Sequence, residues 1–340
     1  MLINILQTAA GLVILLVGGD LMVRGASSLA RNMGISPLAV GLTVVAFGTS
    51  APELAVSIGS AINGSSELAF GNIYGSNLAN IGLIIGLSAV IRPLPIDGVV
   101  TRRELPMMLL AVVSATVMAC DSLLDGGTAQ YARADGFVFL LFFVVFIFYT
   151  VGDLIAQRDE RINGDGEAIA PLSPVIDHPI ENDVVSPPGA KGPRFLRDLG
   201  EVVIGLAGLL LGAELTVSGS VEIARAMGVP EVIVGLTMVS VGTSLPELVA
   251  TLSAVRRGEL AIAVGGVVGS NIFNILLVCG LTSVVMPIPI PKNGLVDLLF
   301  TVVLSLVLML TARTHSRLIL RWEGAGLLVS YLVYMSWRAL

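Results

Sequence analysis

Residues 41–54 read GLTVVAFGTSAPEL, and residues 235–248 read GLTMVSVGTSLPEL. The same displacement of 194 sets GNIYGSNLAN at 71–80 against GGVVGSNIFN at 265–274. Extended outward without a gap, it makes 35 of the 80 pairs from Gly11/Gly205 to Val90/Val284 identical. Apolar composition alone does not place Thr-Ser-x-Pro-Glu and Gly-Ser-Asn-x-x-Asn twice at one separation. The chain is an internal duplication.

Composition decides the solvent in which the two copies fold. Of 340 residues, 55% are apolar and 13% charged, about half the charge of a soluble domain. Such an apolar excess belongs in lipid. The net charge of −6 leaves no basic face for nucleic acid. Cys120 and Cys279 lie in apolar runs without a C-x-x-C pattern, and read as small core residues. His178 and His315 fall in polar connections, so an intramembrane catalyst has no histidine to use. Neither an enzyme activity nor a cofactor is expected.

Spanning helices need about 20 mostly apolar residues. Ten stretches qualify, near 3–26, 37–61, 68–91, 105–120, 135–156, 198–222, 232–255, 260–285, 294–312 and 318–337. The fourth is short. The first is too long for a cleavable leader and lacks a basic start, so it is expected to stay as a signal anchor. The long polar segment 157–197, with seven acids and six prolines, cannot pack a core and reads as a solvated linker. Three parts follow: 1–156, the linker 157–197, and 198–340. Alternate connections carry fifteen and four Lys or Arg. That bias puts the linker in the cytoplasm and both termini outside. The compact linker favours a prokaryotic cytoplasmic membrane.

Five spans per half is an odd number, so the second half enters the membrane upside down. The expected fold is therefore an all-α integral membrane protein of two inverted five-helix repeats. That arrangement characterises secondary transporters, whose site lies at mid-membrane where the repeats meet.

Glu53 and Glu247 fall near mid-span in the second and seventh helices. Intramembrane acids are expensive and functional by default, and no base lies in those helix interiors to pair with them. Their symmetry points to two carboxylates on one cation. Thr49 lies at i, i+4 from Glu53 and shares its face, with Ser50 and Ala46 flanking. Pro52 cannot bond the carbonyl of Gly48, so it kinks the helix and is expected to free backbone oxygens near Ala46 and Gly48. Pro246 repeats this at Gly242, beside Ser240, Thr243 and Ser244. Ser76 with Asn80, and Ser270 with Asn274, add oxygens from the third and eighth helices. Hard cations such as Ca²⁺ accept 6–8 such oxygen ligands. Asn77 and Asn271 sit on a neighbouring face and could cap or brace helices. Gly71, Gly75, Gly265 and Gly269 read as close-packing positions. Asp20 has Arg24 one turn on, which suggests a structural ion pair.

With GTSAPE at 48–53, GSNLAN at 75–80, GTSLPE at 242–247 and GSNIFN at 269–274, the chain resembles the sodium/calcium exchanger family of calcium/cation antiporters. The resemblance spans the whole ten-helix plan. It implies alternating access, the first and sixth helices sliding over the other eight. It also implies that Glu53 and Glu247 are the central calcium ligands. Thr49, Ser50, Ser76, Thr243, Ser244 and Ser270, with the Ala46 and Ser240 carbonyls, would complete the calcium and sodium sites. Where such exchangers carry an aspartate this chain has Asn274, whereas Asn80 fits their pattern. The linker is too short for calcium-sensing domains.

The expectation is thus a Na⁺/Ca²⁺ antiporter in the lipid bilayer, one chain supplying a whole site. Exchange of H⁺, or of another divalent cation, is the alternative, since the glutamates could carry protons. A cation channel would use the same oxygen-rich residues but is commonly a symmetric oligomer.

Overall fold

The computed structural model describes residues 1–120, 129–163, 193–227 and 240–339. Ten helices cross the bundle among the described residues. They are α1 (Leu2–Met33), α2 (Pro37–Ile62), α3 (Ser66–Ile91), α4 (100–118) and α5 (Arg133–Asn163). The second half supplies α6 (Pro193–Ala226), α7 (240–257), α8 (Leu260–Val285), α9 (Gly294–Thr311) and α10 (Arg321–Ala339). The first eight residues expected in the seventh span, 232–239, lie outside the described residues.

Several boundaries move. The fourth span begins at residue 100, five residues earlier than expected. A wide π-turn over Val100–Glu104 carries the helix into Pro106, whose missing N–H would otherwise end it. Helices α5 and α6 also run further into the polar segment than expected, to Asn163 and from Pro193. The rest of the linker, 164–192, lies outside the described residues.

Two short ladders at the bundle ends bear out the inversion. Leu94–Pro95, after α3, pairs antiparallel with Leu318–Ile319, before α10. Ile288–Pro289, after α8, pairs with Gln130–Tyr131, before α5. Positions 94–95 and 288–289 are repeat partners, and the five helices between them leave them at opposite ends. Each therefore pairs with a connection from the other half. The α2–α3 and α7–α8 turns also match, with Gly64 and Gly258 both left-handed at φ 78° and 79°.

The halves interlock through missing side chains. A Cβ on Gly86 of α3 would sit 2.9 Å from the Gly324 carbonyl oxygen of α10, and one on Gly136 of α5 would sit 2.7 Å from that of Gly280 of α8. The fifth helix of each half thus packs on the third helix of the other. Helices α1 and α6 meet along a longer seam, Gly11, Gly18 and Gly25 facing Gly205, Gly212 and Gly219. Both triplets repeat every seven residues and correspond under the 194-residue shift. A Cβ on Gly212 would lie 2.4 Å from the backbone nitrogen of Leu15. Such close approach lets dispersion hold two helices together where lipid removes the hydrophobic drive.

Replacing Gly212 by Val is expected to lower the thermal midpoint of the detergent-purified protein, by an overpacking cost of about 1–3 kcal/mol. Gly152→Val, where no described atom lies within 4 Å, is the control and should leave the midpoint unchanged.

Candidate functional site

The two proline-containing segments adopt one backbone in both halves. Helix α2 breaks at Ser50 (φ −82°, ψ 1°) and α7 at Ser244 (φ −86°, ψ 0°), each two residues before its proline. The next helical turns carry Glu53 and Glu247 into the centre of the bundle, 0% and 3% exposed. One expectation needs correction. The Ala46 carbonyl is not freed, because it accepts the Ser50 N–H at 3.0 Å. Pro52 lacks only its own N–H, which would face Gly48, so the bond donated by Ser50 two residues earlier survives. That oxygen keeps a second lone pair. Ser240 opens the short helix Ser240–Thr243 before the second break.

The predicted residues converge across the repeat boundary. Ser76 of α3 donates to Glu53 Oε1 at 3.4 Å, and Thr243 of α7 lies in electrostatic reach of the same carboxylate. In mirror fashion, Thr49 and Ser50 of α2 lie in reach of Glu247. The Thr49 and Ser270 hydroxyls are 3.4 Å apart, joining α2 to α8. Asn274 donates its amide to Asn77 Oδ1 at 3.3 Å, so Asn77 braces the halves, whereas Asn271 bonds the Val267 carbonyl of its own helix at 2.9 Å. Asn80 is the second residue of the π-turned segment Ala79–Ile85, and Asn274 opens its counterpart, Asn274–Cys279.

Many of these oxygens have no protein partner. Among the described residues, both carboxylate oxygens of Glu247, Oε2 of Glu53, the Ser50 and Ser244 hydroxyls, and Oδ1 of Asn80 and Asn274 are buried without a hydrogen bond. Buried polar atoms are normally satisfied, and these seven exceptions fall on residues of the centre, while others, such as the Ser88, Thr282 and Ser305 hydroxyls, lie on other residues. Among the described residues no group of three or more His, Cys, Asp or Glu could hold a metal. The centre therefore offers two carboxylates and a shell of neutral oxygens. That donor set suits a hard cation delivered and released rather than a resident transition metal.

Other expectations sort differently. Asp20 is ion-paired, but with Arg257 of α7, which grips both its oxygens. Arg24 turns instead to Glu201 of α6 at 3.0 Å. The helix seam explains this: α1 lies between α6 and the end of α7, and points these two side chains to different neighbours. Gly265 and Gly269 are close-packed against Leu38, Leu42 and Ala46 of α2. At Gly71 no described atom lies within 4 Å of a Cβ, and the repeat partner of Leu38, residue 232, is outside the described residues. Cys120 and Cys279 are free thiols.

One residue of the centre is absent from the sequence-based set. Asn72 of α3 is buried between Glu53, Ser57 and Thr243. The repeat comparison hides it, because its partner position holds Gly266.

Known proteins are similar to this chain in sequence and fold. The sodium/calcium exchanger protein family matches residues 3–152 and 199–340. The sodium/calcium exchanger MaX1 of Methanosarcina acetivorans is 33% identical over 351 residues, covering 98% of this chain and 97% of its own. The inner membrane protein YrbG of Escherichia coli is 36% identical over 277 residues, 82% of this chain and 78% of its own. Structures of the sodium-calcium exchanger NCX_Mj superpose with a TM-score of 0.81 at 30% identity when soaked with Na⁺ and Ca²⁺, covering 99% of this chain and 98% of that one. With Na⁺ and Sr²⁺ the values are 0.80 and 31%, with 98% of each covered.

Two buried carboxylates that face no base among the described residues cost stability when no cation is bound. In Na⁺- and Ca²⁺-free buffer at pH 8, Glu247→Gln is expected to raise the thermal midpoint, by on the order of 2–4 °C for each kcal/mol relieved. A lower midpoint would mean that the carboxylate is held by the fold itself.

Proposed function

The chain belongs to the sodium/calcium exchanger protein family, and we propose that it is a secondary antiporter that exchanges Na⁺ for Ca²⁺ by alternating access. The observation that carries this is the pair Glu53 and Glu247, one from each inverted half, buried together with unsatisfied oxygens around them. A Ca²⁺ ion neutralises both carboxylates, and several Na⁺ ions do the same work with more ligands. In this reading Glu53, Glu247, Thr49 and Thr243 are the calcium ligands. Ser50, Ser76, Asn80, Ser244, Ser270 and Asn274, with the Ala46 and Ser240 carbonyls, complete the cation sites. Pro52 and Pro246 set the kinks that bring these groups inward.

Coupling follows from electrostatics. An empty site carries two negative charges, and moving it past the dry barrier is too costly, so helices slide only when cations are bound. Helices α1 and α6 are the sliding pair in this account, tied to each other by their glycine seam. The repeats are 1–156 and 198–340, with the 157–197 linker in the cytoplasm and both termini outside. The membrane is the cytoplasmic membrane of a prokaryote, in keeping with the bacterial and archaeal relatives. Substrates are Ca²⁺ and Na⁺, and no cofactor takes part.

Asn274 favours one second reading. Without a third carboxylate, two protons suffice to neutralise the site, so H⁺ could replace Na⁺ as the counter-ion.

Proteoliposomes loaded with Na⁺ and diluted into choline at equal pH should take up radiolabelled Ca²⁺, and K⁺-loaded vesicles should not. Glu53→Gln and Glu247→Gln should each fall to the K⁺ level. Uptake indifferent to Na⁺ but driven by a pH gradient would move the protein to proton exchange. Full activity in both variants would overturn the site.

A further inference from the structure

Resting on the exchange reading above, we propose that Asn72 is a positioning residue of the cation site, which fixes the Thr243 hydroxyl with its oxygen lone pairs turned toward the cation. Asn72 is 4% exposed and lies one turn before Ser76 on α3. Its amide nitrogen donates to the Glu53 backbone carbonyl at 3.1 Å and to the Ser57 hydroxyl at 2.9 Å. Its amide oxygen accepts from the Thr243 hydroxyl at 3.0 Å.

The orientation of this amide follows from chemistry. A backbone carbonyl is an acceptor only, so the amide atom facing Glu53 O must be the NH₂ group. The atom facing Thr243 is then the oxygen, and Thr243 must be the donor. A hydroxyl has one proton, and spending it on Asn72 leaves lone pairs for another partner. Thr243 lies in reach of the Glu53 carboxylate, at the place where the cation would sit.

The threonine of the first half has no such amide among the described residues. Thr49, the repeat partner of Thr243, donates its proton to the Val45 carbonyl of its own helix at 3.0 Å. Thr243 receives an acceptor from the opposite half. The position equivalent to Asn72 is Gly266, which has no side chain to offer. The two halves of the site are therefore unequal. One buried amide ties together the backbone at Glu53, the α2 side chain Ser57 and the α7 ligand Thr243. Removing it takes away the acceptor that α3 supplies, and the Thr243 hydroxyl loses the orientation that this bond fixes.

The test is a double-mutant cycle in Na⁺-loaded proteoliposomes, with Asn72→Ala, Thr243→Val and their combination. The readouts are the Ca²⁺ concentration for half-maximal uptake and the maximal rate. Asn72→Ala should raise the half-maximal concentration roughly five- to tenfold, the worth of about one hydrogen bond to a ligand, with the maximal rate held within about twofold. In the Thr243→Val background the same substitution should shift it by less than about twofold, because the hydroxyl it acts through is gone. If Asn72→Ala does not fold, Asn72→Ser, too short to reach Thr243, takes its place with the same expectations. Additive shifts, or a loss of maximal rate at unchanged half-saturation, would overturn the proposal. Glu247→Gln is assayed in parallel: retained uptake there defeats the cation-site reading itself. Lost uptake there with additive Asn72 and Thr243 effects defeats only the role of Asn72.

Discussion

Two carboxylates buried at the centre of a helical bundle, facing no base among the described residues, are the constraint on which the rest of the molecule depends. Each buried charge costs several kcal/mol unless it is compensated. Glu53 and Glu247 are surrounded by hydroxyls and amides rather than by Lys or Arg. Neutral oxygens lower the cost of holding a cation without replacing it. A salt bridge at the same place would satisfy the acids permanently, and nothing would need to bind. Described bases pair with other acids instead, as in the Asp20–Arg257 and Arg24–Glu201 pairs.

Bringing one acid from each half to a common point requires inversion and close packing together. Inversion places α2 and α7 back to back, and the paired breaks at Ser50 and Ser244 give the two acids equivalent approaches. Packing must then bring helices nearer than side chains normally allow. The Gly265 and Gly269 contacts on α2 do this at the site, and the α1–α6 glycine seam does it alongside. The exchange of fifth helices between halves, α10 onto α3 and α5 onto α8, makes the bundle one unit rather than two side by side. Symmetry is incomplete where function has reason to break it. Asn72 faces Thr243 from one half, and Gly266 leaves the counterpart empty.

Much of this could be read from the residues. The motif pairs at a separation of 194 disclosed the duplication, and the odd helix count its inversion. The acids at mid-span then gave the centre of the site. What stayed hidden had physical causes. Asn72 is invisible to a repeat argument because it has no repeat partner, although its polarity within a buried helix was a signal. The partner of Asp20 could not be chosen from spacing, since i, i+4 makes Arg24 possible but tertiary packing presented Arg257. The seven-residue glycine spacing in both α1 and α6 was present in the text, but it says what it packs against only when the helices are seen together. The Ala46 carbonyl was misjudged because a proline deletes one bond, not its neighbour's.

The central claim is that carboxylates from both halves form a single cation site. Equilibrium binding of Ca²⁺ to the purified protein in Na⁺-free detergent solution tests it most directly. The account predicts one Ca²⁺ per chain, lost entirely in Glu53→Gln and entirely in Glu247→Gln, since neither half holds a site alone. Two ions per chain, or a Ca²⁺ retained at wild-type affinity by either variant, would contradict it.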